Sequence, residues 1–122
     1  MSRVLKCILI EDEPLALNQL QKYIAADPNL FLMSSVTSIE EAPDICEKLV
    51  NCDILFLDII VTGGDITELM PCIRNVKRMV IISALSMHEI PAYIQELHPE
   101  FLTKPITPKR FSDCIVHIMD LQ

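Results

Sequence analysis

A few residues in this sequence are of types and in positions that could do chemistry: the adjacent acids Glu11 and Asp12, a lone Asp58 inside the apolar run ILFLDII, Ser83, and Lys104 followed by Pro105. Three carboxylates brought to one point repel one another, so either their pKa values rise or a cation neutralises them. With oxygen donors and no His or Cys nearby, the cation that suits them is Mg²⁺ rather than zinc. Asp12 and Asp58 can supply carboxylate ligands, the backbone carbonyl of Ile60 a third, and water the rest. Lys104 can then hold a second anion, and Ser83 can donate a hydrogen bond to it. A dication, a lysine and a hydroxyl around one carboxylate are what a phosphoryl group on that carboxylate would need, and aspartate is an established phosphoryl nucleophile. Each residue also has a plainer reading. Asp58 could end a strand, Glu11-Asp12 could be the acidic first turn of a helix favoured by its dipole, Ser83 a turn residue and Lys104 a surface lysine. Two things favour chemistry: a buried unpaired carboxylate is costly, and all of these residues fall at the same end of the elements that carry them.

Those elements alternate. Val4–Ile10, Leu30–Val36, Asp53–Ile60, Met79–Ser83 and Glu100–Thr103 read as strands, the third apolar on both faces as in a parallel sheet covered on both sides. Between them lie helical stretches. One starts at Pro14 and runs to Ala26. A second opens at Ser38, which has capping-box spacing to Glu41, and reaches about Val50. A third spans Asp65–Asn75 with Pro71 inside it, and a weak fourth spans Met87–Leu97, with regular helix from about Ile90 because of Pro91. The last starts at Thr107-Pro108 and lines one face with Phe111, Cys114, Ile115 and Ile118. The sharpest turn is expected at Gly63-Gly64, which holds both glycines of the chain. Strict alternation predicts an α/β fold, a flavodoxin-like (βα)5 three-layer sandwich with parallel strand order 2-1-3-4-5. In that order the first and third strands flank the switch point, where Asp12 and Asp58 would meet.

Composition narrows the class. At 122 residues, 51 % hydrophobic and 22 % charged, the chain is one globular domain, spanning 1–122. A net charge of −7 argues against a grip on DNA or an anionic membrane by this domain. Five cysteines without C-x-x-C spacing argue against a zinc site and against a secreted disulfide framework, so buried free thiols in a reducing cytoplasm are expected. No run is long enough for a membrane span, and acids follow the start too soon for a signal peptide.

The segments CILIEDEP, LFLDI, VIISA and FLTKPI, in that order, resemble the receiver domain of two-component response regulators. CILIEDEPLALNQLQKYI looks most like receivers of LytTR-type regulators, and the resemblance covers roughly residues 4–119. It implies that Asp58 accepts a phosphoryl group from a phosphohistidine of a sensor histidine kinase. It implies that Glu11 and Asp12 form the acidic pair, Asp12 being a direct Mg²⁺ ligand, and that Ser83 moves toward the phosphate. Lys104 matches the family lysine, and the Lys104-Pro105 peptide is expected to be cis. Phe101 matches the switch aromatic, its plainer role being to pack on the last helix. The face made by helix 4, strand 5 and helix 5, Tyr93 included, would be the output face and a possible homodimer contact. Regulators of this type carry a C-terminal DNA-binding output domain. None is within residues 1–122, so an excised receiver is expected rather than a stand-alone one.

The sequence also departs from the family pattern. Many receivers carry Met-Pro after the acceptor Asp, whereas this chain has Ile59-Ile60-Val61-Thr62-Gly63-Gly64-Asp65, which weakens the assignment of the Ile60 carbonyl. Apolar Ile60 and Leu85 near the phosphate imply poor positioning of water and a longer-lived phosphoryl group. Two alternatives stay open. A pseudo-receiver would act as an interaction module without phosphorylation, and a Mg²⁺-dependent phosphohydrolase would make the chain a true enzyme. The second lacks the usual Asp-x-Asp after the first strand and a cap domain. A P-loop NTPase is excluded, since no Gly-x-x-x-x-Gly-Lys exists.

Overall fold

Hydrophobic runs too apolar to leave a polar face must be covered on both sides, and the three inner strands of this protein are. A computed structural model describes residues 4–60, 66–84 and 87–121. Strands β1 (Leu5–Ile10), β2 (Leu30–Val36), β3 (Ile54–Asp58), β4 (Arg78–Ser83) and β5 (Glu100–Thr103) form one sheet in the order β2-β1-β3-β4-β5. Every pairing is parallel. This is the flavodoxin-like arrangement expected from the alternation, with the switch point between β1 and β3.

Strand alternation splits the core in two. Cys7, Leu9, Ile54, Phe56, Val80, Ile82 and Leu102 face α1 (Pro14–Ala26) and α5 (Pro108–Asp120), meeting Leu20, Ile24, Phe111, Ile115 and Ile118. Ile8, Ile10, Leu55, Leu57 and Ile81 face the other way, toward α2 (Ala42–Leu49), α3 (Met70–Ile73) and α4 (Ala92–Gln95). The result is three layers. Phe56 stacks on Phe111, and the Phe111 ring also meets Tyr23. The Tyr23 hydroxyl donates to the Ile106 carbonyl at 3.0 Å, tying α1 to the chain just past Pro105.

The helices start where the sequence allows. Pro14 and Pro108 occupy first turns, and Thr107 Oγ1 accepts from the Arg110 N–H at 3.1 Å as the cap of α5. The second helix opens with a 3₁₀ turn at Ile39–Glu41, where Ser38 Oγ accepts from the Glu40 N–H at 3.1 Å. The third and fourth helices are far shorter than their periodicity predicts. Each is four residues of α-helix, preceded by 3₁₀ turns at Ile66–Leu69 and Met87–Glu89. Pro71 and Pro91 set the late starts, because each lacks an N–H and so stands at the beginning of its helix, Pro71 in the first turn of α3 and Pro91 as the N-cap of α4. Regular helix in α4 accordingly begins at Ala92, not at Ile90. The expected glycine turn at Gly63-Gly64, together with Val61, Thr62, Asp65 and Leu85, lies outside the described residues.

The cysteines depart from expectation. Cys46 on α2 and Cys72 on α3 are joined in a disulfide across a Cα separation of 5.3 Å, ordinary for such a bond. Cys7, Cys52 and Cys114 are free. Spacing in the chain carries no sign of the pairing; only the packing of α2 beside α3 brings the two thiols together. Among the described residues, no helix is long and apolar enough to cross a membrane.

Candidate functional site

The parallel sheet delivers its polar strand ends to one edge. Glu11 and Asp12 follow β1, Asp58 closes β3, Ser83 closes β4, and Lys104 follows β5. One oxygen each from Glu11, Asp12 and Asp58 lies within 4.8 Å of the others. Glu11 is fully buried, Asp58 and Ser83 nearly so, and Asp12 half-buried.

Backbone bonds hold the cluster in place. The Glu11 N–H donates to the Val36 carbonyl at 3.0 Å, anchoring the end of β1 to β2. Glu11 Oε2 accepts from the Glu13 N–H at 3.1 Å, just before α1. Asp58 Oδ1 accepts from the Ile60 N–H at 2.9 Å, a local turn that leaves Oδ2 free to face Lys104. Lys104 is fixed through its own N–H, which donates to the Ser83 carbonyl at 2.9 Å, and the Lys104–Pro105 peptide is cis. Its Nζ donates to Asp58 Oδ2 at 3.0 Å and pairs with Glu11 Oε1 at 2.8 Å.

One lysine cannot neutralise three acids. Burial, reinforced by Asp58, pushes the Glu11 carboxyl up to about 7 despite the lysine beside it. Burial works against the charge of Lys104, but its bonds to Glu11 and Asp58 prevail and hold its pKa above the ordinary lysine value. Glu11 Oε1 is a buried atom that meets Lys104 as an ion pair without an aligned hydrogen bond. Excess negative charge, an under-coordinated buried oxygen and an all-oxygen donor set fit a hard dication such as Mg²⁺.

The raised Glu11 pKa predicts a pH effect in metal-free protein. A carboxyl whose pKa is higher folded than unfolded holds its proton longer in the folded state. Stability therefore falls as pH rises from about 4.5 to about 7. Glu11→Gln removes that term, and the limit is about 1.4 kcal/mol per pH unit for one proton. Urea unfolding in EDTA at pH 5 and pH 8 is expected to show a smaller loss for the variant than for the wild type. Equal losses would show that Glu11 is ionised throughout.

Beside Lys104 lies a groove of about 330 Å³ bordered by Leu15, Ala16, Ala84, Pro105 and Ile106. Leu15 is 65 % exposed there, a large apolar side chain at the mouth of an acidic site. Nothing in the hydrophobic period of α1 marks Leu15 as unpartnered, so the groove is not legible in the sequence.

Phe101 sits on β5, half-buried, and packs against the α2–α3–α4 side of the core. The expected packing against the last helix holds only for its neighbour Leu102, which shares a cluster with Phe111 and Ile115. The reason is strand alternation, which sends successive side chains to opposite faces. The outer rim of Phe101 borders a groove with Arg110, Asp113, Cys114 and His117 of α5. Tyr93 on α4 is 36 % exposed. Ile60 is 60 % exposed at the edge of the site, and Leu85 is outside the described residues.

No protein-family model matches the chain. The sensory transduction protein LytT of Enterococcus faecalis is 26 % identical over 116 residues, covering 88 % of this chain and 45 % of that protein. The chain thus spans about half the length of the curated relative it matches. The non-phosphorylated receiver domain of the stress response regulator RcsB from Escherichia coli superposes with a TM-score of 0.81 at 15 % identity, covering 98 % of this chain and 96 % of that one. This chain has the receiver-domain fold of response regulators. A further receiver-like match, at TM-score 0.77 and 17 % identity over 98 % of this chain and 99 % of that one, comes from the complex of the P1 domain of CheA3 with CheY6 from R. sphaeroides. In this receiver fold, the acid cluster and Lys104 stand at the carboxyl edge of the sheet, where open α/β folds place their sites.

Proposed function

We propose that this chain is a phosphorylation-switched receiver in which Asp58 accepts a phosphoryl group from a phosphohistidine of a sensor histidine kinase. The observation that carries this reading is the convergence of Glu11, Asp12 and Asp58 with the Lys104 ammonium within hydrogen-bond reach of Asp58. An Asp58 oxygen attacks phosphorus, the N–P bond breaks, and the bonding pair leaves with the histidine nitrogen. Lys104, already on Asp58, is placed to hold the transferred phosphoryl oxygens. Ser83, at the end of the neighbouring strand, would donate to them and relay the change toward Phe101. Asp12 and Asp58, with Glu11 beside them and the Ile60 carbonyl and water completing the shell, would hold Mg²⁺. That ion would neutralise the charge gathering on the phosphoryl oxygens.

The apolar groove at Leu15 gives the kinase domain a place to dock. The α4–β5–α5 face, with Phe101 and Tyr93, is the output and homodimer surface in this reading. The output is a C-terminal DNA-binding domain, as in LytTR-type regulators, and the protein works in the cytoplasm with no nucleic acid or membrane contact by residues 1–122. The chain is a regulatory phosphoacceptor rather than an enzyme with a separate substrate, consistent with a site whose nucleophile also helps to hold the metal.

The test is intact mass after incubation with acetyl phosphate, with and without Mg²⁺. A single phosphoryl adduct that needs Mg²⁺, and that weakens in Asp12→Ala, is expected. No adduct on folded wild type, with a phosphoramidate donor also failing, would favour a phosphorylation-independent interaction module.

A further inference from the structure

The Cys46–Cys72 bond has no part in the chemistry above, yet the covalent ring it closes contains Asp58. The two cysteines are 26 residues apart, and between them lie all of β3, Asp58 and Ile60. We propose that Cys46 and Cys72 form a reversible thiol–disulfide site, exchanged by low-molecular-weight disulfides, that sets the freedom of the segment bearing Asp58. The effect on Asp58 rests on the function proposed above; the modification site itself does not.

Accessibility is the first argument. Cys46 and Cys72 are both only partly buried at the surface of the α2–α3 layer, within reach of a small thiol or disulfide. The other cysteines are poor competitors. Cys7 and Cys52 are buried in the core, out of reach of a small disulfide, and burial pushes their thiols up to about 12, while Cys114 on α5 is on the opposite layer from the pair.

Placement is the second. Four residues of α-helix after a 3₁₀ turn, with a proline inside, make too few backbone bonds to hold α3 alone. What anchors α3 is burial of Leu69, Met70 and Ile73 and the covalent tie of Cys72 to the longer α2. At the other end of the same stretch the Ile60 N–H is bonded directly to Asp58 Oδ1. Asp58 and Cys72 thus lie within one closed covalent ring, so opening it at the disulfide changes a constraint on the strand that ends at Asp58.

The chemistry balances as ordinary exchange. One cysteine thiolate attacks a sulfur of the small disulfide and expels one small thiolate. The second cysteine attacks the mixed disulfide and expels the other. Two electrons pass from the cysteine pair to the small disulfide, and the two cysteine protons end on the two small thiols.

The experiment uses the whole chain equilibrated in oxidised or reduced glutathione, then alkylated under denaturing conditions and weighed. Three alkylated thiols are expected in the oxidised protein and five in the reduced one, interconverting on changing the mixture. Reduction is expected to lower Tm by roughly 10 °C for a ring of this size. It is also expected to speed amide exchange in residues 54–60 and 66–73 and to weaken Mg²⁺ binding about threefold or more. The double variant Cys46→Ser, Cys72→Ser should match reduced wild type in either mixture. Five thiols in oxidising buffer, identical exchange in the two states, or loss of the fold on reduction would each overturn the proposal. Faster exchange on reduction in a protein that binds no Mg²⁺ in either state would support the redox site and overturn the metal and phosphoryl reading instead.

Discussion

Asp58→Asn is expected to take up no phosphoryl group from acetyl phosphate at any Mg²⁺ concentration, while keeping the fold. In the proposed function this removes the nucleophile outright, since an amide oxygen bears no charge to share with phosphorus. The fold should survive because Asn keeps the oxygen that accepts from the Ile60 N–H at 2.9 Å. Lys104 also retains Glu11 as a partner at 2.8 Å. Removing one of three clustered acids lowers repulsion, so the Glu11 carboxyl should fall back from about 7 toward the ordinary range. Mg²⁺ affinity should fall by roughly tenfold or more, as one carboxylate ligand is gone. The checks are intact mass, circular dichroism and a Mg²⁺ titration, run beside wild type. Normal uptake of phosphate by the variant would move the acceptor elsewhere, with Asp12 the next carboxylate in reach.

The site could be anticipated because a parallel sheet is a sorting device. Once alternation implies order 2-1-3-4-5, every residue just past a strand lands on the same edge, so Glu11, Asp12, Asp58, Ser83 and Lys104 can be grouped before any distance is known. Elements with clean punctuation were readable to the residue: Pro14 opens α1, Thr107-Pro108 opens α5, and β2 and β5 have the bounds their apolar runs imply. What was not readable depends on contacts distant in sequence. Pro71 and Pro91 shortened two helices more than their apolar periodicity allows for, since hydrophobic spacing does not report which backbone N–H groups are missing. Cys46 and Cys72 meet only because α2 and α3 pack side by side. The face chosen by Phe101 follows from strand register, in which Ile81 pairs with Phe101 and Ile82 with Leu102. The pKa of Glu11 reflects how completely the end of β1 is covered, which burial alone reveals.

Lys104→Met tests the electrostatic role of the cluster most severely. It removes the cation that meets both Glu11 and Asp58, and those two acids are only 0 % and 4 % exposed. Breaking a buried pair by deleting one member costs about 3 kcal/mol or more, because the stranded charge remains desolvated. The cost should depend on pH in a definite direction. Without the ammonium, Glu11 holds its proton to still higher pH in the folded protein, while the unfolded chain releases it near 4.5. The folded state then binds the extra proton over a wider window, so stability falls more steeply as pH rises. Metal-free variant and wild type should differ most near pH 8 and less at pH 5, where Glu11 is protonated in both and only the lost bond to Asp58 separates them. Added Mg²⁺ should recover part of the deficit at pH 8, since a dication among the same oxygens replaces the missing positive charge. Urea unfolding at the two pH values, with EDTA or with Mg²⁺, separates these effects. A deficit independent of both pH and Mg²⁺ would mean that Lys104 contributes through the packing of its methylene stem rather than through its charge.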